Sequence, residues 1–308
     1  MRIVAASIVV FFCLIPFPGM AGDYVRTSEH FAIGGSPEYA RPVDKLTMLA
    51  EEVREELCQL IDPCFVDRVS VRIAGSSEQF QEEQPGRVHI DWASGIAYPS
   101  RNLILLRIDN AYGLGLVQTF RHEVSHIALD HASGGRAPRW FSEGLAIMQA
   151  GEDILARFEQ VSGAVLWKNL MPFEKLARSF PSSAHLRHLA YSQSALFMVY
   201  LKQEIGSAGI SGIIRKQGEG LPIENAFYEV TGRNMSDFER EWKSSLESGS
   251  NFWVKLRDNW WLWTLMSLLF IFAGIKRMLS IRRRRRALAE EDWDDDEEVC
   301  CEFDQQIN

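Results

Sequence analysis

The stretch "RHEVSHIALDH" (residues 121–131) contains two histidines four positions apart, with a glutamate directly after the first. On an α-helix, residues four apart lie on one face, so His122 and His126 can direct two imidazole nitrogens at one metal ion. Glu123 lies one position round the helix, where it can act on a water molecule held at that metal. The pattern predicts a zinc-hydrolase site; a pair of hydrogen-bonded core histidines is the alternative interpretation.

A second stretch, "APRWFSEGLAIMQA" (137–150), places a carboxylate in an otherwise apolar helical pattern. A glutamate among tryptophan, phenylalanine, leucine and methionine side chains needs a cation. A zinc ion held by His122 and His126 supplies one, so we predict Glu143 as the third metal ligand. The alternative is an exposed glutamate near a helix start, favoured by the helix dipole.

Residues 1–21 have the pattern of a secretory signal peptide. The apolar run "IVAASIVVFFCLIPF" follows Met1-Arg2, and small residues up to Ala21 fit a cleavage site. An uncleaved N-terminal anchor is the alternative, but the run is short for a membrane span. Both interpretations predict export of the residues that follow.

Residues 260–281 are predicted to form a transmembrane helix. The stretch "WWLWTLMSLLFIFAGI" (260–275) has no charged residue and begins with tryptophans of the kind found at membrane surfaces. A buried core helix is the alternative. The seven cations between Lys276 and Arg286 argue against it, and by the positive-inside rule they predict a cytoplasmic C-terminal side.

Residues 282–308 are predicted to be a cytoplasmic tail, first basic and then acidic. The part from 287 to 308 has ten acidic residues and no lysine or arginine, a composition too charged to fold alone. It is expected to fold back on the arginine run, to bind a cytosolic partner or to stay solvated. With the charges of residues 276–308 removed, the formal charge of −8 becomes −5, which argues against a nucleic-acid partner.

Two of the five cysteines, Cys58 and Cys64, would face an oxidising compartment after export. We predict that they form a local disulfide, and two free buried thiols are the alternative. Zinc ligation by this pair is disfavoured, because no histidine or further cysteine stands at ligand spacing nearby.

Residues 22–250 are long enough for a substantial core and are expected to form the catalytic ectodomain. Alternating and apolar patterns predict strands in "EHFAIGG", "VSVRIA", "SGIAYP" and "NLILLRID", with helices over 43–60 and in "SSEQFQEE". Helical periodicity then dominates over 114–130, 140–150, 184–204 and 207–216, and "PIENAFYEVTG" and "MSDFEREWKSSL" close the domain. This order predicts an α+β fold, with a small mixed sheet and its edge strand over a helical zinc-binding half.

Together these stretches resemble the peptidase-MA-like zinc metalloproteases, a gluzincin group. The likeness rests on the two metal motifs, and more weakly on "SEHFAI", "SGIAYPSRNLILL" and "AYSQSALFMVYLKQEIG". It covers most of residues 24–247 and implies a thermolysin-like fold with one catalytic zinc ion. It also implies that "SGIAY" (94–98) is the edge strand that pairs with an extended peptide.

The same resemblance implies further roles for single residues. Tyr191 looks like the group that stabilises the oxyanion, with His188 one helical turn earlier as the rival. Well-studied gluzincins have an aspartate four residues after the ligand glutamate, whereas this chain has Ile147 there. The group that orients His122 is therefore open, with Asp130 as one possibility.

We expect a membrane-anchored, outward-facing zinc metallopeptidase that cleaves peptide or protein substrates. Glu123 would take a proton from water and pass it to the leaving amine. The resemblance places the protein in a bacterial inner membrane, with its catalytic domain on the periplasmic side. The alternative is a catalytically idle receptor or scaffold that acts through binding and through its acidic tail.

Overall fold

The computed structural model describes residues 22–86, 90, 93–109, 115–154, 156–158, 161, 170–247 and 266–278. The predicted signal peptide (1–21) and cytoplasmic tail (282–308) lie outside these residues. Contacts divide the chain into two units, Met1–Ser244 and Ser245–Asn308, and the predicted metal ligands belong to the first.

Five strands of the described residues form one sheet in the order β1-β2-β3-β5-β4. They are β1 (Tyr24–Thr27), β2 (Phe31–Gly35), β3 (Val69–Ala74), β4 (Gly95–Tyr98) and β5 (Leu103–Arg107). The central strands β2, β3 and β5 are parallel, while β1 and β4 pair antiparallel at the two edges. Strands β2 and β3 are almost entirely buried. Strand β2 is apolar on both faces, as buried parallel strands usually are, whereas β3 has Val69, Val71 and Ile73 on one face and Ser70 and Arg72 on the other. The predicted mixed sheet with β4 at its edge is confirmed; β1 was not predicted.

Of the described α-helices, two lie between strands along the chain and the others follow the last strand, β5, which agrees with the predicted α+β class. The helices are α1 (Ala40–Cys58), α2 (Ser77–Glu82), α3 (Leu116–Ser133), α4 (Arg139–Ala150), α5 (Phe173–Leu176), α6 (Ala184–Gly218), α7 (Ile223–Thr231) and α8 (Met235–Glu247). The two helices predicted over 184–204 and 207–216 are joined in α6. The chain kinks between them at Gly206, whose φ of 67° glycine adopts without strain.

An aromatic contact joins the sheet to α3. The Phe120 ring of α3 lies 5.6 Å from the Phe31 ring of β2, and Phe65 lies 5.9 Å from Phe31 on another side. The chain reaches Phe65 through a loop that a disulfide closes between Cys58 and Cys64, whose Cα atoms are 5.5 Å apart. The predicted disulfide is therefore confirmed, and it connects the end of α1 to this part of the core.

A second aromatic cluster holds the helices around α4 together. The Trp140 ring of α4 lies 4.9 Å from Phe173 of α5 and 5.4 Å from Phe197 of α6. Trp242 of α8 lies 5.4 Å from Phe197. All four side chains are fully buried, and each contributes about 1.5–3 kcal/mol through removal of apolar surface from water. The cluster fixes α4 against α6, which positions the residues on the opposite side of α4.

Gln149 links three helices beneath the predicted metal ligands. Its side-chain oxygen accepts a hydrogen bond from Ser125 of α3 at 2.6 Å, and its amide donates to the Leu57 carbonyl of α1 at 3.2 Å. Arg121 of α3 donates to the Gln149 backbone carbonyl at 3.3 Å. Both the oxygen and the nitrogen of the Gln149 side-chain amide thus have hydrogen-bond partners, as polar groups inside a protein usually do. These bonds set the position of α4 along α3.

The second unit contains a helix over 266–278, part of the predicted span of 260–281. Its apolar side chains are exposed, for example Phe270 at 79% and Phe272 at 67%. Across the described ranges, no helix combines the length and the apolar character that crossing a bilayer requires.

The close approach of α4 to α6 depends on Gly144. A Cβ atom at this position would lie 2.4 Å from the carbonyl oxygen of Ser194. We expect Gly144→Ala to lower the free energy of unfolding by roughly 1–3 kcal/mol, because the two backbones must move apart. Urea unfolding of the full chain measures this change.

Gly115→Ala is the matched control, since a Cβ there meets no atom closer than Gln118 Oε1 at 3.9 Å and its φ is −66°. This control should change stability by less than about 0.5 kcal/mol. Equal losses in the two variants would contradict the packing role of Gly144.

Candidate metal centre

One face of α3 carries the two histidines of the first motif. His122 and His126 stand one helical turn apart, with ring centroids 4.9 Å apart, and both side chains are partly exposed to a cavity. The other faces of α3 are buried through Val124, Ile127 and Ala128. Burial of these apolar residues fixes the rotation of the helix, so both imidazoles point to the same place.

Helix α4 brings the third predicted ligand to the same place. The Oε2 atom of Glu143 lies 3.5 Å from Nε2 of His122 and 3.5 Å from Nε2 of His126. One ligand atom from each of the three residues lies within 4.8 Å of the others. The structure therefore assembles the three side chains that the two motifs predicted as a ligand set.

These distances suit a metal ion better than direct hydrogen bonds. A good N–H···O bond measures about 2.7–3.2 Å, shorter than either 3.5 Å contact. Ligand atoms about 2.0–2.2 Å from a tetrahedral zinc ion stand roughly 3.4 Å from one another. Two imidazole nitrogens and one carboxylate oxygen are also ligands that zinc prefers in catalytic sites. The residues present thus fit a zinc ion.

The remaining ring nitrogens are hydrogen-bonded in a way that leaves Nε2 free. Nδ1 of His122 lies 3.1 Å from Oε1 of Glu152, and Nδ1 of His126 lies 2.8 Å from the hydroxyl oxygen of Ser142. A carboxylate only accepts, so Nδ1 of His122 donates its proton. In a neutral ring the lone pair is then on Nε2, the atom that faces Glu143.

The group that orients His122, which the sequence left open with Asp130 as one possibility, is Glu152. Asp130 lies eight residues further along α3, about 12 Å along the helix axis at 1.5 Å per residue. Glu152 follows α4, which ends at Gly151 with a φ of 68°. Its carboxylate is 4% exposed and also pairs with Arg157. The sequence shows only that Glu152 follows a glycine that ends a helix. Which residue Glu152 contacts depends on tertiary packing.

The charged groups of the cluster shift one another's pKa values. Burial alone would lower the pKa of His122, but the carboxylates of Glu143 and Glu152 raise it to about 10. Burial alone would raise the pKa of Glu143, yet the two imidazoles hold it far below its usual range. Opposite charges this close favour the ionised form of each group. The carboxylate of Glu143 therefore requires a cation beside it.

The side chain of Glu123 lies against β4. Its side chain is buried, at 6% exposure, and its carboxylate accepts a hydrogen bond from the backbone N–H of Ala97. A Cβ atom at Gly95 would lie 2.9 Å from Oε1 of Glu123, so strand and helix are in close contact. Burial raises the pKa of Glu123, against the opposing effect of His122 and His126. A raised pKa suits a group that accepts and returns a proton.

Tyr191 of α6 lies on another wall of the same cavity. Its hydroxyl is hydrogen-bonded to Arg139, and its ring meets Phe180 edge-on with centroids 5.0 Å apart. Burial raises the pKa of Tyr191, so the phenol keeps its proton and can donate it in a hydrogen bond. The rival candidate His188 lines the cavity too, but it is exposed.

The cavity has a volume of about 690 Å³. Its walls include the metal-ligand cluster, Glu123, Tyr191 and the residues of β4 from Gly95 to Ala97. The predicted edge strand and the predicted catalytic side chains thus line one space. This volume is in the usual range for small-molecule and peptide sites.

One family model matches this chain. The model of the peptidase MA superfamily matches residues 55–248. Native leukotriene A4 hydrolase from Saccharomyces cerevisiae is 11% identical, with a TM-score of 0.44 over 68% of this chain and 36% of that chain. An M1 zinc metallopeptidase from Deinococcus radiodurans is 13% identical, with a TM-score of 0.37 over 74% of this chain and 50% of that chain.

The chain thus spans half or less of the length of these two structures. No curated protein matches it.

The hydrogen bond from His122 to Glu152 generates a prediction about metal affinity. Glu152→Gln removes the negative charge that holds the imidazole, so the zinc affinity should fall by roughly 10–100-fold. Competition with a chromogenic chelator, on the purified full chain, measures the Kd. Asp130→Asn is the matched control and should leave the affinity unchanged. Loss of affinity in the control alone would show that Asp130, and not Glu152, orients His122.

Proposed function

Because the chain belongs to the peptidase MA superfamily, we propose that it is a zinc-dependent peptidase anchored in a membrane. The observation that carries this proposal is the placement of Glu143 Oε2 at 3.5 Å from both Nε2 atoms. Glu123 lies beside this cluster without belonging to it. A ligand set with a separate carboxylate is the arrangement of a catalytic metal rather than a structural one.

The residues of the cavity divide the chemistry among them. His122, His126 and Glu143 hold the metal, which when bound supplies a Lewis acid and lowers the pKa of water. Glu123 takes the proton of the attacking water and delivers it to the leaving amine. Tyr191 donates a hydrogen bond to the oxygen that becomes negative as water adds to the carbonyl.

Strand β4 supports a peptide as the substrate. Ser94 accepts a hydrogen bond from the Arg107 N–H, so alternate residues of β4 bond to β5. The backbone groups of Gly95 and Ala97 consequently face away from the sheet, on the side of the cavity. An extended peptide can add to this edge as a further strand through the backbone groups of Gly95 and the carbonyl of Ala97, since the Ala97 N–H already donates to Glu123. This addition would bring the peptide backbone past the ligand cluster.

The membrane anchor rests on sequence and on the described part of the second unit. The helix over 266–278 exposes apolar side chains of leucine, isoleucine and phenylalanine, which water would not favour and lipid would. The cations between Lys276 and Arg286 follow it. We infer that residues 260–281 cross a bacterial inner membrane, with the catalytic domain in the periplasm and the tail in the cytoplasm.

Glu123→Gln tests the enzymatic function. The amide keeps the size of the side chain and still accepts from Ala97, but it cannot take a proton. Zinc content should stay at the wild-type level while cleavage of a peptide library falls by roughly 10²–10⁴-fold. Metal analysis and library cleavage by the full chain measure the two quantities.

Glu224→Gln, the same change at an exposed position of α7, should retain full activity. A zinc-loaded wild type that cleaves no peptide would favour the scaffold interpretation. Equal rates in the Glu123→Gln variant and the wild type would exclude Glu123 as the base.

The proposed topology predicts opposite locations for two points of the chain. Alkaline phosphatase fused after Ser250 should be active, whereas the same reporter fused after Asn308 should be inactive, because it folds only outside the cytoplasm. Green fluorescent protein at the same two points is the control and should give the reverse result. Activity of the same reporter at both points would contradict a membrane crossing between them.

A further inference from the structure

The two carboxylate oxygens of Glu143 have different surroundings. Oε2 faces the Nε2 atoms of both histidines, whereas Oε1 lies 3.4 Å from Nε of Arg139. Arg139 precedes Glu143 by one turn of α4, which places the two side chains on the same face of the helix. Oε2 is therefore directed to the two histidines, and Oε1 to the guanidinium of Arg139 on the same helix.

The contact joins a buried nitrogen atom to a largely buried carboxylate. Nε of Arg139 is buried and makes no conventional hydrogen bond within the described part of the chain, although 39% of the Arg139 side chain is exposed. Glu143 is 9% exposed. If Oε2 binds a metal, Oε1 would remain a charged oxygen on a largely buried residue. Such an oxygen needs a counter-charge, and the Arg139 guanidinium, with Nε at 3.4 Å, is placed to supply it.

The guanidinium of Arg139 is held from several sides. The Arg139 backbone N–H donates to the Ala177 carbonyl at 2.8 Å. Its Cζ atom lies 5.1 Å from the centre of the Phe180 ring, and its side chain is hydrogen-bonded to the hydroxyl of Tyr191. Phe180 in turn packs against Tyr191. Stacking on Phe180 and the hydrogen bond to Tyr191 restrict the guanidinium group. Arg139 is therefore placed to orient both Glu143 and Tyr191.

We propose that Arg139 is a positioning residue that keeps Oε1 of Glu143 turned away from the metal and fixes the hydroxyl of Tyr191 in the cavity. Glu143 then binds through Oε2 alone. With one atom from each of three ligands, a tetrahedral ion keeps a position for water or substrate. If Glu143 rotated to bind through both oxygens, that position would be crowded. This inference rests on the proposed zinc site and adds the residue that determines which oxygen of Glu143 binds the metal.

The test uses the purified full chain loaded with Co²⁺, whose visible absorption bands weaken as the coordination number rises. Arg139→Met keeps an unbranched stem over Phe180 but removes every donor. The variant should show weaker Co²⁺ bands than the wild type, and its zinc affinity should fall by roughly 10–100-fold. A purely structural role of Arg139 would change the unfolding midpoint and leave the spectrum unaltered.

Three further variants complete the experiment. Arg136→Met is the same change at an exposed arginine outside the cavity and should match the wild type in both measurements. Glu143→Ala gives the spectrum and affinity of a site that has lost a ligand. Arg139→Lys keeps the charge without the fixed fork of donors, so it should shift both quantities in the same direction as Arg139→Met, by less.

The outcomes separate this inference from the zinc site itself. Wild-type affinity and an unchanged Co²⁺ spectrum in both Arg139 variants would overturn the positioning role while leaving the zinc site intact. Absence of metal binding by the wild type would overturn the zinc site. If Arg139→Met does not fold, as judged by circular dichroism, the result for Arg139→Lys decides: a shifted spectrum supports the inference and an unchanged one overturns it.

Discussion

The carboxylate of Glu143 is a negative charge on a largely buried side chain, and the surrounding structure must supply its counter-charge. Two imidazoles on α3 and one guanidinium on α4 lie within 3.5 Å of its oxygens. This arrangement requires one fixed position of α4 relative to α3. Gln149 fixes the position of α4 along the α3 axis through its bonds to α3 and α1. The aromatic cluster around Trp140, with Gly144 against α6, fixes α4 from the α6 side.

Without a metal, a proton on His122 can take the place of that counter-charge. The pKa of His122 rises from 6.5 to about 10, so the protonated ring stabilises the metal-free fold fully below pH 6.5. This contribution is lost as the pH rises through 10. The lowered pKa of Glu143 acts in the opposite sense, since its contribution is present above 4.5 and is lost in acid. A bound metal ion would replace the proton, and its binding would add to the stability of the folded state.

The parts of this site that are local in sequence could be predicted, and those that depend on tertiary contacts could not. The spacing of His122 and His126 is a property of one helix, and Glu143 stood out as a charge in an apolar pattern. The strand over 69–74 was predicted with its observed ends, because its apolar residues alternate along it at Val69, Val71 and Ile73. The short strand β1 has no such pattern, since its pairing with β2 defines it. The contact of Glu152 with His122 spans 30 positions and arises only when α4 folds onto α3.

Helix α3 separates two functions that are adjacent in the chain. His122 faces α4, where its ring meets Glu143 and Glu152, whereas Glu123 faces β4 and accepts from Ala97. Successive residues on a helix point about 100° apart, so a ligand and a proton acceptor can share a peptide bond and have different neighbours. The strand that contacts Glu123 is also an edge strand of the sheet in the described residues. A peptide added to β4 would therefore lie against the proton acceptor on one side and the ligand cluster on the other. Tyr191 and its partner Arg139 would close the third side.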